Sequence, residues 1–104
     1  MKAWAHWDAM NAERADNYTR LTRYLEDIGP AKLHADEQAR VRIAADTLVF
    51  AGGWSDEVSD ALDDMNRLAG ILVDSGRWEL ESAERLVDMV GACGPEEAQA
   101  LALP

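Results

Sequence analysis

Residues 55–74 read SDEVSDALDDMNRLAGILVD. Within them Val58, Ala61, Leu62, Met65, Leu68, Ala69 and Leu72 recur at intervals of three and four. That spacing places them on one face of an α-helix. Ser55 is a good N-cap, and Asp56 and Glu57 suit the positive end of the helix dipole. Ser75-Gly76 supplies the stop. A helix over 56–74 with one apolar stripe must bury that stripe against other elements.

The same period appears on both sides. Towards the C-terminus, Ala83, Leu86, Val87 and Val90 make the inner face of a helix over 79–93, and Gly94 is its stop. Pro95, Glu96 and Glu97 then suit the first turn of a short last helix, so 95–104 reads as a terminal helix or a tail. Towards the N-terminus, a helix over 36–51 is ended by Gly52-Gly53. Val41, Ala44, Ala45 and Leu48 form one apolar face of it, with Ile43 and Phe50 on roughly the opposite side. Apolar residues on two sides predict burial on two sides, which makes this helix the expected centre of the fold.

The first helix should run over 3–28, with Gly29-Pro30 as its stop. Trp4, Trp7, Tyr18, Leu21, Leu25 and Ile28 fall at a and d positions of a heptad, and Asn11 and Arg14 fill the a and d places between Trp7 and Tyr18. Either the helix breaks near Asp8–Asn11 and leaves Trp4 and Trp7 on a separate arm, or it is continuous; no Pro or Gly interrupts the stretch, which favours continuity. Asn11 and Arg14 would then reach a polar partner in the bundle or in another chain. Alternating β-branched runs and hairpin turns are missing. The expected fold is all-α: one domain over 1–104, an antiparallel four-helix bundle with a long N-terminal helix and a short C-terminal one.

The charge is lopsided. Residues 1–53 hold seven Lys and Arg against eight Asp and Glu; residues 54–104 hold three against twelve. The net charge of −10 and a pI near 4.4 argue against direct binding of nucleic acid and of anionic membranes. No apolar run approaches the ~20 residues that span a bilayer. The N-terminus MKAWAHWDAM lacks the apolar core of a signal peptide, so a cytoplasmic location is expected. A single cysteine, Cys93, excludes an internal disulfide. Its place at a helix C-terminus disfavours the thiolate, so it is read as an inert thiol.

Catalytic constellations are absent from the sequence. Gly52-Gly53 is not followed by the Lys-Ser/Thr of a phosphate loop, and neither Cys-x-x-Cys nor His-Glu-x-x-His occurs. His6 stands between two tryptophans and His34 in the loop before the second helix, neither with a local activating partner. The carboxylates of 56–64 face away from the apolar stripe, so a di-metal site inside the bundle is not expected. No metal, cofactor or enzymatic activity is assigned.

Two surfaces stand out. The first is the acidic face of Glu57, Asp60, Asp63 and Asp64, with Ile71 among the acids. Like charges three or four apart repel, and a cationic partner would relieve them. The second is the N-terminal line of Trp4, Trp7, Asn11 and Tyr18, which could serve as the seam of a homodimer. Trp54 and Trp78 each precede a helix and are expected to fold back into the core.

The sequence therefore points to stoichiometric binding of a protein with a basic surface, as a regulator or inhibitor. A sharper form is a nucleic-acid mimic, similar in size and charge to the small acidic proteins that block restriction or CRISPR machinery. The competing expectations are a homo-oligomeric bundle and, behind it, a metal-dependent enzyme.

Overall fold

The computed structural model describes the backbone of residues 2–95 and the side chains of residues 12–29 and 31–95. Four helices pack against each other: α1 (Lys2–Lys32), α2 (Ala35–Phe50), α3 (Asp56–Asp74) and α4 (Leu80–Gly91). The described residues contain no strand. The fold is an all-α four-helix bundle. The short terminal element expected over 96–103 lies outside the described residues.

α3 has the bounds that its caps dictate. The Ser55 hydroxyl accepts the Val58 backbone N–H at 3.3 Å. At the other end Gly76 adopts φ +76°, which a Cβ would disfavour. With that turn, the Gly76 N–H reaches the Val73 carbonyl and the Arg77 N–H reaches that of Leu72, a Schellman closure. The inner stripe of α3 is buried: Val58, Leu62, Met65, Leu68 and Leu72. It meets Leu21 and Leu25 of α1, Val41 and Leu48 of α2, and Leu86 and Val90 of α4 in one core.

α1 corrects one expectation. It does not stop at Gly29-Pro30 but continues to Lys32, with the Leu33 N–H bonded to the Gly29 carbonyl at 2.8 Å. Proline inside a helix costs one backbone bond and some crowding. Here tertiary contacts offset that cost. Leu33 is buried in the core. The Lys32 carbonyl accepts from the Trp78 indole N–H at 3.1 Å and from Arg77 Nη2 at 3.2 Å. Gly29 lies close to α2: a Cβ there would stand 2.9 Å from Gln38 Oε1, the end of a flexible side chain that would have to move aside.

α2 packs against α1, α3 and α4, as a central element should. Its two-sided burial, however, is overturned. Val41, Ala44, Ala45 and Leu48 are buried, but Ile43 is 66% exposed and Phe50 85% exposed. One face of α2 satisfies all three neighbours, because they converge on the same side of it. The other apolar residues are left in water. Trp78 is in the core as expected, whereas Trp54 is 44% exposed and stands outside the core.

Two polar clusters tie the ends of the bundle. At one end Arg14 of α1 is only 6% exposed. Its Nη2 donates to the carbonyls of Leu48 (2.6 Å), Val49 (3.2 Å) and Ala51 (2.8 Å). Its Nε donates to Cys93 (3.1 Å), and Asn17 Nδ2 donates to Ala92 (2.9 Å). One guanidinium thus caps the C-termini of α2 and α4, where carbonyls lack helical partners and the dipoles are negative. α1 is continuous across the polar gap, and Arg14 finds its polar partner inside the bundle; the Asn11 side chain lies outside the described residues.

At the other end Glu37 of α2 accepts from Arg77 Nη1 and Nη2 at 2.9 and 2.8 Å and from the His34 backbone N–H at 2.8 Å. The Arg77 hydrogen bonds hold the Glu37 carboxyl at about 2, below its ordinary 4.5, against the opposing effect of burial.

Two outcomes follow. Arg14→Leu leaves at least three backbone carbonyls unpaired and should cost about 3 kcal/mol or more in urea unfolding, with Arg14→Lys recovering part of the loss. The Glu37 carboxyl has a folded pKa below its unfolded one, so its stabilisation is full above pH 4.5 and fades as pH falls towards 2. The stability gap between wild type and Glu37→Gln, about 1–3 kcal/mol at neutral pH, should therefore close across that window.

Candidate functional site

α3 turns its carboxylates outward. Glu57, Asp60 and Asp63 are exposed. Asp64 is half-buried and engaged: Arg40 of α2 grips it with Nη2 to Oδ1 at 2.8 Å and Nε to Oδ2 at 3.2 Å. The repulsion along α3 is thus relieved at one position by a cation from α2, a partner that lies 24 residues away in the chain. Ile71 is 51% exposed and lies on the same side of α3 as Asp64. Asp63 lies about 100° round the helix from Asp64, so it looks away from α2.

The Arg40–Asp64 pair sets the register of the two helices. α2 and α3 are consecutive and joined by a short loop, so they run antiparallel. Three residues beyond Arg40 comes Ile43, opposite Asp60 and Ala61. One turn further Thr47 stands opposite Glu57, and Phe50 then ends α2 beside the loop that carries Trp54. By this register Ile43 and Phe50 of α2 and Glu57 and Asp60 of α3 lie on one outer side of the two helices.

Ile43, Phe50 and Trp54 have the chemistry of core residues, and the structure corrects that expectation by placing them at the surface. The available signal was the position of Ile43 and Phe50, seven residues apart and opposite the Val41–Leu48 face. A second apolar side on a small bundle's helix is either buried by another element or left as a surface.

The N-terminal line divides. Tyr18 is half-buried against the core, and its hydroxyl donates to Asp46 of α2. That bond is the main cause of the raised pKa of Tyr18. The side chains of Trp4, Trp7 and Asn11 lie outside the described residues.

The remaining reactive groups are quiet. Cys93 is fully buried, and burial pushes its thiol up to about 11 despite the opposing charge of Arg14. His34 is exposed, with Nδ1 3.6 Å from Glu37 Oε1. A cavity of about 490 Å³ opens between Tyr24, Ile28, Lys32, Trp78 and Ser82. Arg77 on its wall is already committed to Glu37 and to the Lys32 carbonyl. Among the described residues no group of three or more His, Cys, Asp or Glu could hold a metal ion. No helix among them is long and apolar enough to cross a membrane.

No family model, curated protein or solved structure matches the chain.

If the α2 surface is separate from the core, its residues should be dispensable for folding. Ile43→Ala and Phe50→Ala should each change unfolding free energy by less than about 0.5 kcal/mol. Leu48→Ala, on the opposite, fully buried face of α2, should cost about 2–5 kcal/mol. Urea titrations followed by circular dichroism measure both.

Proposed function

We propose that this chain is a stoichiometric protein-binding domain that regulates or inhibits a partner by covering a basic surface on it. One observation carries the reading: Glu57, Asp60 and Asp63 stand exposed on the outer side of α3, and among the described residues Asp64 alone of that helix has an ion-pair partner. An unrelieved acidic face raises the rate of encounter with a cationic surface and weakens with salt. The narrower form is mimicry of nucleic acid, with carboxylates in the place of phosphates in a basic groove, as an anti-restriction or anti-CRISPR inhibitor would use.

A second reading is self-association through the start of α1. It is favoured by the length of that helix. Arg14 meets the ends of α2 and α4, so the backbone of residues 2–13 runs on for about 18 Å beyond that level. Against it, the Tyr18 hydroxyl is already engaged by Asp46 within the chain. Sedimentation of wild type and a Trp4→Ala/Trp7→Ala variant separates the two readings: only the second expects a mass that rises with concentration and falls back in the variant.

The test of the first reading is a variant carrying Glu57→Gln, Asp60→Asn and Asp63→Asn. It spares Asp64, whose loss would also break the bond to Arg40. The variant should melt within a few degrees of wild type, because relief of repelling pairs of a few tenths of a kcal/mol each offsets the loss of the Glu57 charge from the positive end of α3. Capture of a basic partner from the native host should be strong for wild type at low salt. It should be weak at high salt, and weak for the variant at either. Equal capture by variant and wild type at low salt would reduce the face to a solvated surface.

A further inference from the structure

The bundle closes its core without Ile43, Phe50 or Trp54. Scattered exposed apolar residues are ordinary. These three are not scattered. Ile43 and Phe50 are seven residues apart on the outer face of α2, about 10 Å along its axis, and Trp54 follows the helix end. Phe50 is 85% exposed and is the only phenylalanine in the chain.

The charges around this strip are mostly of one sign. Glu57 and Asp60 border it on the α3 side, and Asp56 follows Trp54. Asp46 lies on the far flank with Arg42. The nearby cation Arg40 is neutralised by Asp64. An apolar centre with a charged rim is the anatomy of a protein interface.

The charge also selects the occupant. A second copy would bring another −10 against the same acidic rim. A basic partner would be attracted to it. Anchors at i and i+7 along one helix match the repeat of an amphipathic helix laid beside them.

We propose that Ile43, Phe50 and Trp54 form the apolar centre of a docking site for a basic amphipathic helix of a partner protein, whose cations meet Glu57 and Asp60. This rests on the reading of the acidic face as a binding surface and adds what that reading lacks, an apolar anchor. Charge sets the encounter, and the aromatic and aliphatic contacts set the lifetime of the complex.

The test uses the full chain, labelled with ¹⁵N, and two synthetic peptides of equal positive charge. One is an amphipathic helix with leucines on one face and lysines on the other. Its control has serine in place of every leucine. The leucine peptide should shift amide resonances in 43–50 and 54–60. The Ile43→Ala/Phe50→Ala variant should bind it about tenfold more weakly or worse, with unchanged thermal stability. The serine peptide should bind wild type as weakly as the leucine peptide binds that variant.

Equal binding of the two peptides, lost in the Glu57→Gln/Asp60→Asn/Asp63→Asn variant, would overturn the apolar anchor and leave the acidic face standing. Shifts confined to other surfaces, or binding indifferent to both variants, would overturn both. Resonances of 43–54 that move with protein concentration before any peptide is added would assign the strip to a second copy and overturn the proposal.

Discussion

A full positive charge sits almost out of water at Arg14, and among the described residues it is met by backbone carbonyls rather than by a carboxylate. Isolated burial of a charge is costly, and here the field of two helices compensates it. α2 and α4 both end at the guanidinium, so their partial negative charges converge on it. The planar fork matters as much as the charge. It serves acceptors on two helices at once, which a single ammonium would serve less well. The orientation of α1 along the bundle follows from this contact. Sliding α1 by one turn would remove the cation from two sets of orphan carbonyls together.

The opposite end is organised by the same chemistry with a different cast. There the cation, Arg77, comes from the α3–α4 turn, and it is neutralised by Glu37 while it caps α1 at Lys32. Trp78 places its ring in the core and its N–H on the same carbonyl. Apart from Arg14 and Glu37 at these two ends, the core cluster among the described residues is built of apolar side chains. The exposed residues on the outer side of α2 and α3, Ile43 and Phe50 among them, lie outside that core.

Most of the helical layout could be read from the chain because period and caps agreed. In α3 the stripe, Ser55 and Gly76 all point to the same bounds, and the structure has those bounds. Reading failed where a local rule met a tertiary contact. Gly29-Pro30 is a stop signal in isolation, yet the last turn of α1 persists because Trp78 and Arg77, more than 40 residues away, satisfy its final carbonyl. Ile43, Phe50 and Trp54 show a second kind of failure. Hydrophobicity reports the preference of a side chain and not whether the fold has a place for it. Of the candidate acidic site, the exposure of Glu57, Asp60 and Asp63 was legible from helical phase. The pairing of Asp64 with Arg40 was not, because it depends on the register of two helices. Arg14 lay between these cases. Its polar place on an apolar line was visible, and its partners were not.

The separation of the Arg14 contacts along the chain also bears on how the molecule assembles. α2, α3 and α4 are joined by short turns and can find one another through local encounters. The acceptors of Arg14 lie 34, 35, 37 and 79 residues away in sequence. Closing so long a loop carries an entropic penalty that nearby contacts avoid. α1 is itself joined to α2 by Leu33 and His34 alone and can meet it as locally as α2 meets α3; only the bond from Arg14 to the Cys93 carbonyl has to wait for the end of α4. A nascent chain emits α1 first and meets the acceptors on α2 well before Cys93 has appeared, so the polar end is completed in two stages, the second only when almost all of the described chain has been made.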